Sequence, residues 1–303
     1  MNEHSRGLGV IYALTAAVLW GMIPLYIDLV DTTDPVEIVV HRALWSGVLL
    51  TIIIAKTDGI LNVIRSLTDS ATRWGMAFST LMLSVNWLLF VYAVQSGQVV
   101  EAAFGYFIYP LVAVVLGMVV LGETLDRWSW VSVGMVAIGV CIKGIVVGAL
   151  PWLALSLAIT FALYSVSRKK MAIGPLQGMF VETFILIPPA MGYLAWMHLN
   201  GQPLFFGGGV FQTSLAVMAG VITVTPLVLF HAGNRSLTTI MSSLVFYANP
   251  TTQLLLGLYF FGAPVTTLEV LAFVMIWAGV VVYFSTRRRG TTKNSHPQVA
   301  VEK

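Results

Sequence analysis

Two ionisable side chains of opposite charge lie inside long apolar stretches of the sequence. Arg42 lies in the stretch 36–55 and Glu182 in the stretch 176–198, and the two residues are 140 positions apart. A charge at the centre of a bilayer costs roughly 3 kcal/mol on insertion scales, so each residue needs a function or a local partner. Arg42 is expected to attract a substrate carboxylate, and Glu182 to take an ammonium group or a proton. The alternative is that a local hydrogen bond satisfies each charge and that the residue only holds its helix in register.

Glu101 and His41 join Glu182 as candidates for proton coupling. Histidine titrates near neutral pH, and His41 immediately precedes Arg42. A satisfied structural histidine is the alternative. Glu101 opens an apolar stretch, where the dipole of a helix N-terminus favours an acid by about 0.3–1 kcal/mol. Glu101 is therefore either a proton site or gate in an outward cavity, or a helix cap.

Prolines inside apolar stretches predict bent helices beside a pocket. Pro110 and Pro250 are 140 positions apart, and a proline leaves one helical carbonyl without its donor. Pro24, with Trp20 one turn earlier, repeats this arrangement near the N-terminus. Ordinary kinks and aromatic anchors at the membrane interface are the alternatives. Polar and aromatic side chains near these prolines suit a small, partly apolar or cationic solute, and the predicted lining is Trp20, Pro24, Arg42, Asn86, Trp87, Tyr106, Tyr109, Phe246 and Asn249.

The composition requires lipid as the solvent for most of the chain. Hydrophobic residues make up 58% of the sequence and charged residues 10%, and the mean hydropathy is +0.88. A soluble domain carries about a quarter charged residues. The apolar stretches are long and continuous, which predicts an all-α polytopic membrane protein and not a barrel. Ten spans are predicted at 8–28, 36–55, 73–95, 100–121, 128–144, 149–167, 176–198, 211–232, 239–261 and 266–285.

The positive charges predict the orientation. With ten spans, Arg6, Arg127, the run Arg168–Lys170 and the run Arg287–Arg289 all fall on one side of the membrane. Lysine and arginine mark the cytoplasmic side. The protein is therefore expected in the inner or plasma membrane with both termini in the cytoplasm. Residues 287–303 are expected to form a short cytoplasmic tail.

The chain also repeats itself at an offset of 140 residues. Pro35 matches Pro175, Gly139 matches Gly279, and Pro110 matches Pro250. The sequence therefore predicts two five-helix units, 7–145 and 146–286. Five is odd, so the second unit enters the membrane from the opposite side, which is the arrangement that gives many secondary transporters alternating access. Duplication for stability alone is the alternative.

Several motifs in this order resemble a known family. They are HRALWS at 41–46, NWLLFVYAV at 86–94, EAAFGYFIYPL at 101–111 and LGE at 121–123. In order and spacing they resemble the RarD branch of the drug/metabolite transporter superfamily. The resemblance implies ten helices in two EamA-type repeats and a permease for small organic metabolites; among wider relatives the best-defined group exports amino acids. Phe246-Tyr247 and Gly262-Ala263 depart from the pattern of that branch, so its substrates do not carry over.

The sequence lacks the motifs of the main enzymatic alternatives. It has no GxxxxGK[ST] phosphate loop, no HExxH, no GxSxG and a single cysteine, Cys141. We therefore expect no cofactor, no metal and no nucleic-acid partner. The expected energy source is an ion gradient, with protons as the favoured ion, or a substrate gradient, or none. Export is the favoured direction, with a facilitator, an exchanger or an uptake permease as alternatives. A channel and an intramembrane enzyme are more remote, and the glycine-rich helices offer a surface for a homodimer.

Overall fold

Every regular element that the structure describes is a helix. The computed structural model describes residues 3–57, 59–65, 67–121, 127–237 and 239–293. Gly122 and Glu123 of the LGE motif, and the tail beyond residue 293, lie outside the described residues. The helices are α1 Glu3–Gly21, α2 Ile23–Asp28, α3 Pro35–Lys56, α4 Ile60–Arg65, α5 Ser70–Gln95, α6 Val99–Leu121, α7 Arg127–Val147, α8 Trp152–Lys169, α9 Pro175–Leu199, α10 Val210–Asn234, α11 Thr239–Phe246, α12 Ala248–Tyr259 and α13 Thr267–Lys293.

Seven segments of the described chain are long and apolar enough to cross a membrane. They are Gly7–Asp28, Pro35–Lys56, Ser70–Gln95, Val99–Val120, Arg127–Val146, Pro175–Leu199 and Val210–Asn234. Each coincides with one of the predicted spans within a few residues, so the chain is a polytopic membrane protein. The predicted span 239–261 is divided at Tyr247 into α11 and α12, and each piece alone is shorter than the roughly 20 residues that a bilayer requires.

The starts of α3 and α9 follow the same rule of helix initiation. Pro35 and Pro175 occupy the first position of these helices, where the N–H that proline lacks would have no helical acceptor. Asp34 caps α3, because its Oδ1 accepts hydrogen bonds from the backbone N–H of Val36 at 2.8 Å and of Glu37 at 3.3 Å. These starts fix how far along each helix Arg42 and Glu182 lie.

The helices form two compact units. The first contains α1–α5, the start of α6 up to Tyr109, and α8–α12. Its core has two clusters of buried side chains. One is centred on α2, the end of α5 and the start of α6, with Ile27 and Val91 fully buried; the other is centred on α3, α5 and α9, with Leu50 fully buried. All of the predicted site residues except Pro110 belong to this first unit.

The second unit contains the rest of α6 together with α7 and α13. Two glycines bring α7 and α13 into close contact: a Cβ at Gly139 would lie 2.9 Å from the carbonyl oxygen of Ala272, and one at Gly279 would lie 3.0 Å from that of Ser132. Small residues allow such approach between membrane helices. Lys143 of α7 donates a hydrogen bond to Glu269 of α13, and both side chains are buried.

Candidate functional site

Arg42 is a buried cation whose hydrogen-bonding capacity is only partly used. Its side chain is 4% exposed. Its Nε donates to Thr223 Oγ1 at 3.2 Å, and its guanidinium lies over the ring of Trp87, 4.3 Å from the centroid. Its Nη1 is buried and has no hydrogen-bond partner among the residues that the structure describes. Since buried polar groups are normally paired, this free donor requires an explanation such as a ligand or a water.

Other unpaired polar atoms lie close to Arg42 along α3. Ser46, one turn later, is fully buried, and its hydroxyl has no hydrogen-bond partner within the described ranges. In the same described part of the chain, neither ring nitrogen of His41 has a hydrogen-bond partner, although its Nε2 lies 3.5 Å from Glu37 Oε1. Glu37 Oε1 also accepts from the backbone N–H of Phe205 at 2.7 Å. The middle of α3 therefore concentrates polar groups that the protein itself leaves unsatisfied.

Asn86 connects three helices through hydrogen bonds. Its side chain is 1% exposed. Its Oδ1 accepts from Tyr106 Oη at 2.9 Å, and its Nδ2 donates to the carbonyl of Leu157 and to Thr160 Oγ1, both at 3.0 Å. Asn86 on α5 thereby fixes α6 and α8. This makes Asn86 a residue that positions the tyrosine, with its own donors and acceptor engaged.

A chain of aromatic rings continues from Tyr106. Phe161 of α8 contacts Tyr106 edge-on at 5.7 Å and Tyr109 at 4.7 Å between ring centroids. Tyr109 in turn lies 6.4 Å from Phe246, and Phe246 lies 5.8 Å from Trp20. The structure thus brings together four of the aromatic residues that the sequence singled out. Phe161, which the sequence reasoning missed, joins them.

Glu182 is fully buried and has three polar neighbours. Ser79 donates a hydrogen bond to its Oε1 at 2.8 Å, and Tyr164 donates to its Oε2 at 3.5 Å. Arg168 Nε lies 3.6 Å from Oε1. Gly178, one turn before Glu182, gives the Arg168 side chain room in this position, because a Cβ there would overlap the guanidinium. Both carboxylate oxygens of Glu182 therefore have partners, whereas one buried nitrogen of Arg42, Nη1, has none among the described residues.

The three prolines occupy different positions in their helices. Pro24 is the second residue of α2, which follows a break at Met22, and Pro250 is the third residue of α12, which follows a break at Tyr247. Pro110 lies inside α6, which continues to Leu121. Asn249, next to Pro250, is buried and accepts a hydrogen bond from Gln253 Nε2 at 2.8 Å.

Glu101 lies in the first turn of α6 and is half-buried. This position is compatible with both predicted roles, so its function stays a prediction. Among the residues that the sequence reasoning missed, Arg168 belongs to a run of cations that was interpreted only as a topology signal. Phe161, Ser79 and Thr223 are ordinary residues of apolar helices, and a sequence without a known packing gives no signal for them.

Comparison with known proteins identifies the relatives of this chain. The model of the EamA-like transporter family matches residues 7–144. Protein RarD of Streptomyces exfoliatus is 34% identical over 92% of this chain and 89% of its own. A protein of Pseudomonas aeruginosa named chloramphenicol-sensitive protein RarD is 25% identical over 91% of this chain and 93% of its own. A crystal structure with 19% sequence identity covers 93% of this chain and 98% of its own with a TM-score of 0.56, which shows a shared fold.

Proposed function

The chain belongs to the drug/metabolite transporter superfamily, in its EamA-type, RarD-like branch, and from this premise we propose that it moves a small carboxylate-bearing metabolite across the membrane by alternating access. The substrate class is amino-acid-like or amphipathic and drug-like. The observation that carries the proposal is the buried Nη1 of Arg42, which has no hydrogen-bond partner in the part of the chain that the structure describes.

Arg42 has the geometry of an anchor for a carboxylate. Thr223 occupies Nε and Trp87 covers one face of the guanidinium, which leaves Nη1 as a free donor at a fixed position. A carboxylate binds arginine through short charge-assisted bonds, often two at once. An unpaired buried cation is costly, and a substrate anion removes that cost when it binds. A lysine would not reproduce this fork, because its ammonium is a single point charge.

The aromatic rings supply the apolar part of the proposed pocket. Tyr106, Tyr109, Phe161, Phe246 and Trp20 form one connected set within the same compact unit as Arg42. Small-molecule sites are mostly apolar with a few polar groups that fix orientation. An aromatic solute with one carboxylate matches that description. The name of the Pseudomonas aeruginosa relative refers to an aromatic drug, chloramphenicol, which has no carboxylate and therefore serves as a test compound.

The packing of the helices supports the proposed ten spans in two inverted repeats, 7–145 and 146–286. A shift of 140 residues converts α3 into α9 and α5 into α10. Helix α3 packs on α10, and α9 packs on α5; likewise α1 packs on α10, and α8 packs on α5. These four contacts, all between the two repeats, thus form two equivalent pairs, as an inverted repeat requires. We place both termini in the cytoplasm and the protein in the inner membrane, and a homodimer stays a prediction.

Glu182 is the first candidate for proton coupling, with Glu101 and His41 as further candidates. A proton on Glu182 would neutralise the carboxylate that faces Arg168 and would leave the hydrogen bonds from Ser79 and Tyr164 available. Proton uptake therefore weakens one contact between α8 and α9. We propose export as the direction, while uptake, exchange and uncoupled facilitation are the alternatives on the same fold.

The test is flux into proteoliposomes for four solutes, with and without an imposed proton gradient. Phenylalanine has a ring and a carboxylate, phenethylamine a ring alone, alanine a carboxylate alone, and chloramphenicol a ring without a carboxylate. We expect saturable flux that is fastest for phenylalanine and accelerated by the gradient. Equal flux of phenylalanine and phenethylamine would overturn the carboxylate anchor. Saturable flux that ignores the gradient would establish a facilitator or exchanger.

A further inference from the structure

Two pairs of opposite charges are placed symmetrically about the prolines that start α3 and α9. Arg168 and Glu182 each lie seven residues from Pro175. Asp28 and Arg42 each lie seven residues from Pro35, and an offset of 140 relates the two sets. The order of the charges is reversed between the two pairs. The acid Glu182 lies on the second helix of its pair, α9, and the acid Asp28 lies on the first helix of its pair, α2. Asp28 and Arg168 lie at the ends of α2 and α8, and Arg42 and Glu182 each lie about two turns into the helix that follows.

Only one of these pairs is formed in the structure. Arg168 Nε lies 3.6 Å from Glu182 Oε1. Asp28, at the end of α2, is exposed, and within the described residues no ion pair joins it to Arg42, whose Nη1 has no hydrogen-bond partner. The two sets therefore have equivalent charges in different arrangements.

We infer that Asp28 and Arg42 form an ion pair in the oppositely facing state of the transporter, in which Arg168 and Glu182 are separated. The inference rests on the inverted repeat of the proposed function. In an inverted repeat each half adopts, after the transition, the conformation that the other half had before it. The contact made now between Arg168 and Glu182 is then made by Asp28 and Arg42.

The neighbourhood of α2 allows this exchange. Tyr26, two residues before Asp28, contacts α10, the helix that also carries Thr223, the partner of Arg42 Nε. Its hydroxyl donates to the carbonyl of Leu215 at 3.0 Å. Helix α2 has six residues and is separated from α1 at Met22, with Pro24 at its second position. Sharp changes of helix direction occur at prolines, so this short segment is suited to reorient.

The Arg168–Glu182 pair requires space on α9 that the Asp28–Arg42 pair does not require on α3, and the reversed order of the charges explains this difference. Arg168 reaches from α8 across α9, and it passes over Gly178, where a side chain would overlap it. The equivalent residue on α3 is Ile38, which is buried. In the Asp28–Arg42 pair the long side chain is Arg42, which belongs to α3 itself, and the short side chain is Asp28, which belongs to α2. No glycine is therefore required at position 38.

The exchange also gives Asp28 a role in releasing the solute. In the present state the free donor of Arg42 is available to a substrate carboxylate. In the other state the carboxylate of Asp28 competes for the same guanidinium. The solute is therefore held on one face of the membrane and displaced on the other. A ligand shifts such an equilibrium only by its different affinity for the two states, and Asp28 supplies that difference.

The experiment measures two distances with spin labels in the full chain, reconstituted in nanodiscs, in a Cys141→Ser background, since Cys141 is the single cysteine of the sequence. One pair of labels replaces the exposed residues Leu29 and Val48, beside the Asp28–Arg42 pair. A second pair replaces the exposed residues Lys169 and Phe184, beside the Arg168–Glu182 pair. Asp28→Asn is compared with Asp31→Asn, an exposed acid in the following turn, and Arg168→Gln with Lys170→Gln, an exposed cation.

We expect opposite shifts of the two populations. Arg168→Gln and Glu182→Gln should increase the population with a short 29–48 distance and a long 169–184 distance about fivefold or more. Asp28→Asn should decrease it by a similar factor, and the double variant Asp28→Asn/Arg168→Gln should fall between the two. The controls should leave both distributions unchanged. Each variant is first checked for a monodisperse, folded state.

Two outcomes would overturn the inference. In the first, Asp28→Asn and Asp31→Asn have the same distributions. In the second, Arg168→Gln and Glu182→Gln lengthen the 169–184 distance while the 29–48 distance stays as it was. No solute is present, so the distances do not depend on the carboxylate anchor. If the distances shift as expected but phenylalanine and phenethylamine have equal flux, only the substrate class is rejected. If phenylalanine has the faster flux but the distances do not shift, only the exchange of ion pairs is rejected.

Discussion

Arg42 and Glu182 occupy equivalent positions on α3 and α9, yet their surroundings differ. Both side chains are almost completely buried. Glu182 has a hydrogen bond from Ser79 and an ion-pair partner in Arg168, while Arg42 has one hydrogen bond from its Nε and an unpaired Nη1. Burial alone therefore does not distinguish a charge that the protein already pairs from a charge that is left available to a ligand. The number of partners that the protein supplies does, because an unpaired buried charge is maintained only if something else pairs with it.

The largest effect should come from removing the unpaired charge. We expect Arg42→Ala to lower kcat/KM for phenylalanine about a hundredfold, or about 3 kcal/mol, because the substrate carboxylate loses its partner. Arg42→Lys should recover part of the loss. Saturable flux in proteoliposomes measures the effect, with Arg65→Ala, an exposed arginine at the end of α4, as the control. Equal flux in Arg42→Ala and Arg65→Ala would show that Arg42 does not bind the substrate and so does not differ from Glu182 as proposed.

The next effect tests the pair that is already satisfied. Gly178→Ala should displace Arg168 from Glu182 and lower the thermal stability, by about 2 kcal/mol, since removing a partner leaves a buried charge uncompensated. Gly192→Ala is the matched control on the same helix, because no atom of the described residues outside that helix's own nearby backbone lies within 4 Å of a Cβ at that position. Thermal unfolding in detergent compares the two variants. A smaller loss in Gly178→Ala than in Gly192→Ala would mean that the Arg168–Glu182 pair does not stabilise α8 against α9.

A third change keeps the shape of Glu182 and removes its charge and its proton. With Glu182→Gln we expect flux to persist while its acceleration by an imposed proton gradient disappears, because the amide keeps a hydrogen-bond acceptor for Ser79 but does not titrate. The measurement is the ratio of initial rates with and without the gradient. Glu101→Gln, made in parallel, assigns the coupling to the other candidate if that variant loses the acceleration instead.

The smallest effect should come from the residue that only orients Arg42. Thr223→Val keeps the volume of the side chain and removes the acceptor of the 3.2 Å hydrogen bond from Nε. Hydrogen bonds to charged groups contribute about 1.5–3 kcal/mol, and the substrate replaces part of that contribution, so we expect KM to rise about tenfold at nearly constant kcat. A fall of kcat with unchanged KM would place Thr223 in the conformational transition and not in substrate binding.

Much of the fold followed from patterns along the chain. The predicted spans around Arg42, Asn86 and Glu182 correspond to α3, α5 and α9, because about 20 apolar residues allow no other secondary structure in lipid. The division of the span 239–261 at Tyr247 was not predicted in detail, since Pro250 indicates a bend without specifying whether the helix continues through it. Pro110, at the matching position, lies within the continuous α6.

The candidate site was predictable in part. The intramembrane charges and the aromatic residues were found because an expensive or unusual residue in an apolar stretch is visible in a sequence. The residues that contact these charges and aromatic rings in the folded protein were not predicted. Thr223 is 181 positions from Arg42, Ser79 is 103 positions from Glu182, and Asn86 is 71 positions from Leu157. Pairings over such separations depend on how the helices are arranged, and the 140-residue offset constrains only which helices are equivalent.

The sequence by itself determined that the chain crosses a membrane with many helices, that it resembles a transporter family, and which charges are costly enough to need a reason. These properties depend on composition, period and order, which are local to the chain. Only the tertiary structure decided that Glu182 has its partners and that Arg42 lacks one. Whether a buried charge is satisfied depends on the atoms within about 4 Å of it, and those atoms come from helices that are distant in sequence.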